Sequence, residues 1–144
     1  MERIATAHWE GNLKEGQGTV STESGALKEN KYSYNTRFVD GEKGMNPEEL
    51  LGAAHASCFT MALAGNLTEK GFIPKSLDTK ASVTLKGLTI TNIHLSIKGN
   101  VPGISPDEFS NVIEDAKKNC PVSKTLKVQI TSEAELVTKS ALSV

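Results

Sequence analysis

Hydrophobic and polar residues alternate along three short segments of the N-terminal third of the chain, which predicts a meander of antiparallel strands. The three segments are Arg3 to Glu10, Gly18 to Ser24 and Lys31 to Phe38. In the third segment, Tyr32, Tyr34 and Phe38 share one strand face, whereas Arg37 falls on the other. We therefore expect Arg37 to point away from the aromatic face.

A long apolar helix is predicted after this meander. Asn46 is a suitable N-cap, Pro47 suits the first helical position, and Gly71 suits the left-handed stop. Between Leu50 and Gly65 only three residues are polar, so the helix must be covered on nearly every side. We expect it to be the central helix. Many of its residues are small: Gly52, Ala53, Ala54, Ala56, Ser57, Ala62 and Ala64.

The second half of the chain predicts a hairpin, an amphipathic helix and a last strand. Alternation on both sides of Gly87 indicates the hairpin, and a slip of phase indicates a bulge near Thr91. A capping box at Ser105 begins the helix, whose buried stripe ends at Cys120 before Pro121. Together these elements predict an α+β fold with antiparallel sheets, in a single domain over residues 1–144.

Composition and charge narrow the classes of function. With 16 basic and 17 acidic side chains the chain has a net charge of −1, so we expect no nucleic-acid partner. No export signal precedes the helix, and its apolar run is shorter than a membrane span needs, so we expect no membrane insertion. The two cysteines are expected to be thiols in a reducing cytoplasm. Any disulfide between them would be transient.

Cys58 and Arg37 are candidates for a reactive thiol and its activating cation. A thiol in the middle of an apolar helix is desolvated, which raises its pKa and leaves it inert unless a cation stabilises the thiolate. A guanidinium stays charged when buried and could supply that cation. The alternatives are that Cys58 is a core cysteine and that Arg37 is a solubilising surface charge.

Glu48 is either a partner of the helix dipole or part of the same site. It precedes Cys58 by ten residues. At 1.5 Å per residue the two lie about 15 Å apart along the axis, so they cannot meet within one straight helix. If both belong to one site, that site is built from two chains.

His55 lies three residues before Cys58, so the two could form a cysteine–histidine pair. The alternative is a histidine tolerated on a crowded helix. The spacing of the cysteines and histidines fits no metal site, so we expect no metal.

Several segments resemble the OsmC/Ohr family of bacterial thiol peroxidases. They are AHWEGNLKEGQGTVSTESG, NTRF, NPEELLGAAHASCFTMAL and NCPVSK, in the family's order from residue 7 to residue 124. The histidine of GAAHASC and the valine of CPVS are similar to the OsmC branch. The resemblance implies an intertwined homodimer with long central helices. It also implies that Cys58 is the peroxidatic thiol, that Cys120 is the resolving thiol, and that Arg37 and Glu48 activate Cys58.

The sequence thus predicts a peroxidase that reduces organic hydroperoxides, and hydrogen peroxide less well, through a thiolate, sulfenic acid and disulfide cycle. No cofactor is expected beyond an external dithiol, and the resemblance suggests dihydrolipoamide or a lipoylated protein. One alternative is a non-enzymatic dimeric stress or ligand-binding protein with core cysteines. Another is a hydrolase built on Cys58 and His55.

Overall fold

The computed structural model describes residues 1–137, and the chain divides into two compact units, Met1–Leu50 and a second unit that begins at Leu51. The elements in chain order are β1 (Ala5–Glu10), β2 (Gln17–Thr22), β3 (Asn30–Tyr32), α1 (Tyr34–Phe38), α2 (Pro47–Glu69), β4 (Ser76–Lys86), β5 (Thr89–Asn100), α3 (Pro106–Asn119), α4 (Pro121–Thr125) and β6 (Gln129–Leu136).

The first unit contains an antiparallel sheet in the order β1, β2, β3, which confirms the predicted meander. Gly18 of β2 pairs with Trp9 on one side and with Tyr32 on the other. The two rings approach each other across the glycine, with centroids 5.6 Å apart. A Cβ atom at position 18 would lie 2.6 Å from both rings, so only glycine fits between them.

The segment after β3 is helical, so the prediction of a strand continuing to Phe38 is wrong. Ser33 caps α1: its side chain accepts a hydrogen bond from the Thr36 N–H, and the Thr36 hydroxyl accepts one from the Ser33 N–H. This capping box overrides the alternating pattern. In the helix the Tyr34 and Phe38 rings pack at a tilt of 49° with centroids 5.0 Å apart, and the Arg37 guanidinium lies 5.1 Å from the Phe38 ring centroid. Arg37 therefore lies with the aromatic side chains instead of opposite them.

Helix α2 begins and ends as predicted. The Asn46 side chain accepts a hydrogen bond from the Glu49 N–H at 2.8 Å, and Gly71 follows the helix with φ of +88°. A stripe of fully buried residues runs along one side of the helix: His55, Phe59, Leu63 and Leu67. The opposite side is exposed and consists of small residues apart from Met61: Ala53, Ala54, Ser57, Met61, Gly65 and Thr68. We call this the open face of α2.

By length and composition α2 is able to cross a membrane, although the run from Leu50 to Gly65 alone is too short for a span. Within residues 1–137, only 28% of the most apolar stretch of this helix is buried. The sequence predicts that α2 is covered on nearly every side, but residues 1–137 cover it on one side only. An apolar helix with an open face is typical of a membrane span or of a helix that packs against a second protein chain.

The second unit contains a three-stranded sheet in the order β4, β5, β6. Strands β4 and β5 form the predicted hairpin, and the register shifts after Thr84 so that Thr91 is the extra residue, which confirms the bulge. Strand β6 pairs with β5 in parallel, so the prediction of purely antiparallel sheets is wrong at this strand. The reason is the helical connection through α3 and α4, which returns the chain to the same end of the sheet.

Helices α2 and α3 pack with this sheet around one apolar core. Ser105 caps α3 by accepting a hydrogen bond from the Glu108 N–H, as its capping box predicts. Gly52 lets α2 approach β4, since a Cβ atom there would lie 3.3 Å from the Val83 side chain. Pro121 ends α3 as predicted, but it also begins α4, a helix that the sequence did not indicate. Cys120 therefore lies at the corner between two helices.

Candidate active site

The two cysteines lie next to each other in the second unit. Cys58 comes from the middle of α2 and Cys120 from the corner between α3 and α4. Both are free thiols, and their sulfur atoms are 3.2 Å apart. Cys120 is completely buried, whereas Cys58 is partly exposed. Because a disulfide needs the sulfurs at about 2 Å, a small movement would join them.

The surroundings shift the pKa values of the two thiols in opposite directions. Burial raises the pKa of Cys58, and the neighbouring Cys120 raises it further. Burial also acts to raise the pKa of Cys120, but the polar groups of Ser123 and Val122 at the start of α4 outweigh burial, so that this pKa is lowered. Within the second unit, burial therefore opposes a negative charge on Cys58.

His55 pairs with Ser123 and not with Cys58. Its Nε2 atom lies 2.7 Å from the Ser123 hydroxyl, and both side chains are buried. Burial lowers the pKa of His55, so its imidazole is neutral near pH 7. The cysteine–histidine pair on which the hydrolase alternative depends is therefore absent from the part of the chain that the structure describes. Sequence reasoning missed Ser123, whose only signal was its place one turn after Cys120.

Arg37 and Glu48 form an ion pair in the first unit. The Arg37 Nη2 atom lies 2.8 Å from Glu48 Oε1, and Nε lies 3.1 Å and 3.4 Å from the two carboxylate oxygens. The Glu48 side chain is 10% exposed and that of Arg37 is 38% exposed. Two donors on one carboxylate fix the plane of the guanidinium, which a single contact would leave free to rotate.

Backbone and side-chain contacts hold this ion pair in position. The Thr36 hydroxyl donates to the Met45 carbonyl at 2.9 Å, and the Asn46 amide donates to the Thr36 carbonyl at 3.4 Å. These bonds tie α1 to the residues that begin α2, so that Arg37 and Glu48 meet. The capping box of α1 and the N-cap of α2 thus serve the same site.

A cavity of about 280 Å³ borders the guanidinium in the first unit. Its wall is mostly aromatic: Trp9, Leu13, Tyr32, Ser33, Tyr34, Arg37 and Phe38. The Lys14 ammonium lies over the Tyr34 ring, 4.6 Å from its centroid. Among residues 1–137, no three histidine, cysteine or acidic side chains lie close enough together to bind a metal ion.

Comparisons with known proteins agree with these features. A family model for OsmC-like proteins matches residues 40–135. The chain is 54% identical to Peroxiredoxin OsmC of Escherichia coli over 140 residues, which cover 94% of this chain and 97% of the relative. An OsmC-like protein of unknown function from Vibrio cholerae has a TM-score of 0.76 at 17% identity, with 94% of this chain and 99% of the other covered.

A second solved structure is an organic hydroperoxide resistance protein OsmC from Legionella pneumophila, with a TM-score of 0.70 at 20% identity and coverage of 96% and 98%. At these identities the two structures show the fold alone, and they confirm the predicted α+β, OsmC-like fold. The family model and the E. coli relative go further. The chain belongs to the OsmC family, in its OsmC branch, and is a thiol-dependent peroxidase of the peroxiredoxin type, an oxidoreductase.

Proposed function

We propose that this peroxidase reduces organic hydroperoxides, and hydrogen peroxide less well, through a disulfide formed between Cys58 and Cys120. The observation that carries the proposal is the distance of 3.2 Å between the two free sulfur atoms. Two thiols so close can be oxidised in sequence, the first by the peroxide and the second by the first.

Cys58 is the thiol that meets the peroxide, because Cys120 is completely buried and Cys58 is partly exposed. The Cys58 thiolate attacks the distal oxygen. The S–O bond forms as the O–O bond breaks, the alkoxide takes a proton and leaves as the alcohol, and Cys58 becomes a sulfenic acid. Since burial raises the pKa of Cys58, this step needs a positive charge near the sulfur.

Arg37, oriented by Glu48, supplies that charge from the second chain of a homodimer. Glu48 and Cys58 lie on the same helix, ten residues and about 15 Å apart along its axis, so the two cannot meet within one chain. The open face of α2, with its small residues, is suited to the close packing of two copies. The guanidinium would stabilise the thiolate and then the leaving alkoxide.

The cavity beside Arg37 supports an organic substrate. Its aromatic wall offers apolar surface to the carbon chain of a hydroperoxide, while the guanidinium at its border binds the peroxide oxygens. Hydrogen peroxide has no group that would use this wall. We also expect the α2 side chains of Leu50, Leu51 and Met61 to line an apolar entrance that favours bulky peroxides.

The cycle closes in two further steps. Cys120 attacks the Cys58 sulfenic acid, which forms the S–S bond and releases water, and an external dithiol then reduces the disulfide by exchange. Dihydrolipoamide or a lipoylated protein fits this role, because two thiols on one molecule complete the exchange without a stable mixed disulfide. A cycle that returns to free thiols suits the reducing cytoplasm, where we place the protein.

One alternative keeps the fold without this cycle. It is the non-enzymatic stress or ligand-binding protein, in which Cys58 and Cys120 serve only as core residues, and the 54% identity to a peroxiredoxin argues against it.

Titration with cumene hydroperoxide separates the two functions. The peroxidase is expected to lose two thiols per chain to one equivalent of peroxide, and to recover both on addition of dihydrolipoamide. Repeating the titration with hydrogen peroxide tests the substrate class, and it should be slower at equal concentration. Thiols that stay unchanged with both peroxides would refute the peroxidase cycle and support the ligand-binding protein.

A further inference from the structure

His55 is a fully buried polar side chain to which the peroxidase cycle gives no task. Its Nε2 atom lies 2.7 Å from the Ser123 hydroxyl, and its Nδ1 atom has no hydrogen-bond partner among residues 1–137. An unpaired polar atom inside an apolar core lowers the free energy of unfolding. A leucine would fill a similar volume without this cost, so stability alone does not account for the histidine.

The contact between His55 and Ser123 joins the same two segments as the contact between the thiols. His55 and Cys58 are three residues apart on α2, and Cys120 and Ser123 are three residues apart where α4 begins. The two sulfur atoms lie 3.2 Å apart, and the imidazole and hydroxyl lie 2.7 Å apart. Three residues span about 4.5 Å along a helix axis, which is less than one turn. On both segments, each contact therefore lies within one turn of the other.

Helix α4 is too short to keep its position by itself. It has five residues, far fewer than an isolated helix needs to be stable in water. Val122 and Leu126 of this segment are only partly buried against the core. Apolar packing has no preferred direction, whereas a hydrogen bond fixes both a distance and an angle. The bond between His55 and Ser123 therefore gives α4 a position relative to α2 that packing alone would not define.

The backbone transmits this position to the thiols. The Lys124 N–H donates to the Cys120 carbonyl at 3.0 Å and closes the turn that contains Ser123, so Cys120 and Ser123 move together. His55 and Cys58 are fixed to each other by α2. We propose that the hydrogen bond between His55 and Ser123 is a positioning contact that holds the sulfur of Cys120 against Cys58 for the resolving step. It acts through the backbone of α4 and not through the charge of either sulfur.

The consequence for the reaction rests on the proposed function. In the resolving step the two sulfurs approach from 3.2 Å to about 2 Å, and the S–S bond forms as the S–O bond of the Cys58 sulfenic acid breaks. The departing hydroxide takes the thiol proton of Cys120 and leaves as water. A second peroxide molecule competes with this step by oxidising the sulfenic acid to sulfinic acid. A thiol held in place reacts before that second molecule more often, because its reaction is intramolecular and its geometry is fixed.

The first test measures the placement of Cys120 without any peroxide. Dithiobis(nitrobenzoate) is added to the full-length protein, where Cys58 displaces one thionitrobenzoate and forms a mixed disulfide. Cys120 then attacks the Cys58 sulfur and displaces the second thionitrobenzoate, in a step within one chain whose rate does not depend on reagent concentration. Absorbance follows both releases. His55→Leu and Ser123→Ala should each slow the second release by about three- to tenfold, the value of one buried hydrogen bond, and leave the first unchanged.

Matched variants separate the bond from other properties of its partners. His55→Gln keeps a polar group near the Nε2 position and should restore the rate. The double variant His55→Leu, Ser123→Ala should be no slower than either single variant, because all three lose the same bond. His94→Leu is the control. His94 also pairs with a hydroxyl, that of Thr131 at 2.6 Å, but it lies on the face of β5 opposite to the core, so the rate should stay at the wild-type value.

Stability and pH distinguish positioning from other roles. The double variant removes both partners together with the unpaired Nδ1 atom, so its midpoint in a urea titration should be at or above that of the wild type. In His55→Leu the midpoint of the rate–pH profile of the second release should stay in place while the maximal rate falls. A wild-type second release in folded His55→Leu and Ser123→Ala proteins would overturn the inference. So would a shifted midpoint, or a loss of rate that only follows a loss of stability.

The second test uses an excess of cumene hydroperoxide, with intact mass as the measurement. His55→Leu should convert about three- to tenfold more Cys58 to sulfinic acid per turnover than the wild type, because the resolving step is slower. Equal sulfinic acid in the two proteins would refute a part for this bond in the resolving step. A slowed second release in a protein whose wild type never loses thiols to peroxide would leave the positioning contact standing and refute the proposed cycle.

Discussion

The molecule contains an ion pair, Arg37 and Glu48, and a pair of thiols, Cys58 and Cys120, and different physical forces hold each pair together. Arg37 and Glu48 carry full charges and bind through three contacts of 2.8 to 3.4 Å, and the Arg37 side chain is partly exposed to solvent. Cys58 and Cys120 are close to or within an apolar core, and burial is the largest single influence on the pKa of each thiol. The first pair is held by charge, and the second is placed by packing.

This difference explains why neither pair is sufficient alone for the proposed peroxidase reaction. Among the described residues of the first unit the ion pair has no thiol beside it, and among those of the second unit no cation contributes to the pKa of Cys58. The low dielectric that makes the thiols reluctant to ionise also makes a nearby guanidinium more effective. The comparison leads to predictions that remove first the nucleophiles, then the cation, then the assembly and finally the cap of α1.

Replacing Cys58 is expected to have the largest effect, because it removes the partly exposed thiol, whereas the thiol of Cys120 is buried. Cys58→Ser should abolish turnover. Cys120→Ser should consume one equivalent of peroxide and then stop, with Cys58 left as a sulfenic or sulfinic acid because nothing resolves it. Peroxide consumption and intact mass report both outcomes. Equal multi-turnover rates for Cys120→Ser and wild type with a dithiol would show that no resolving step is needed.

Replacing Arg37 by lysine should have the second largest effect, although the charge is kept. Lysine cannot donate two bonds to one carboxylate in a fixed plane, and its proton is more easily lost in an apolar site. We expect a rate about 10- to 100-fold lower, the value of one or two charge-assisted hydrogen bonds. The rate–pH profile should move to higher pH, since a weaker cation leaves the pKa of Cys58 higher. A wild-type profile in Arg37→Lys would remove Arg37 from the mechanism.

Features that are determined by residues close together in the sequence were the most predictable. The ends of α2 and α3 were predictable because Asn46, Gly71 and Ser105 act within one turn. Helix α1 was not, because the alternation of Tyr34 and Phe38 suited a strand and only the contacts between Ser33 and Thr36 decided otherwise.

Contacts between distant segments were the least predictable. Strand β6 pairs with β5 in parallel because α3 and α4 return the chain to the same end of the sheet. No local sequence pattern indicates this return. The pair of His55 and Ser123 joins residues 68 positions apart. The closeness of Cys58 and Cys120 was implied only by the family resemblance, which makes them the peroxidatic and resolving thiols.

The assembly is the next point to test. Ala54 lies on the open face of α2, whereas Ala62 packs partly against the core of its own unit. Ala54→Trp should therefore report on the packing of two chains, and Ala62→Trp on the fold itself. We expect Ala54→Trp to lose activity and the dependence of Tm on protein concentration that an obligate dimer shows. Asn111→Trp, on the exposed side of α3, is the matched control and should leave both unchanged.

Mixed dimers test whether the site is shared. Chains carrying Cys58→Ser and chains carrying Glu48→Gln would be unfolded together and refolded. A site that combines Glu48 of one chain with Cys58 of the other should be restored in the heterodimer, because one of its two sites then contains neither substitution. A folded, active monomer by sedimentation at low concentration, or a mixed dimer without activity, would overturn the shared site.

The smallest expected effect concerns the cap that orients Arg37. Ser33→Ala removes the side chain that accepts the Thr36 N–H, and the loss of such a cap lowers the free energy of unfolding by about 1 kcal/mol. Ser105→Ala removes an equivalent cap from α3, so both variants should show a similar loss in a urea titration. Only Ser33→Ala should also lower the peroxidase rate, by a few fold, because a frayed α1 loosens the guanidinium from Glu48. If the two variants lowered the rate equally, the effect would be one of stability, and α1 would have no part in positioning the cation.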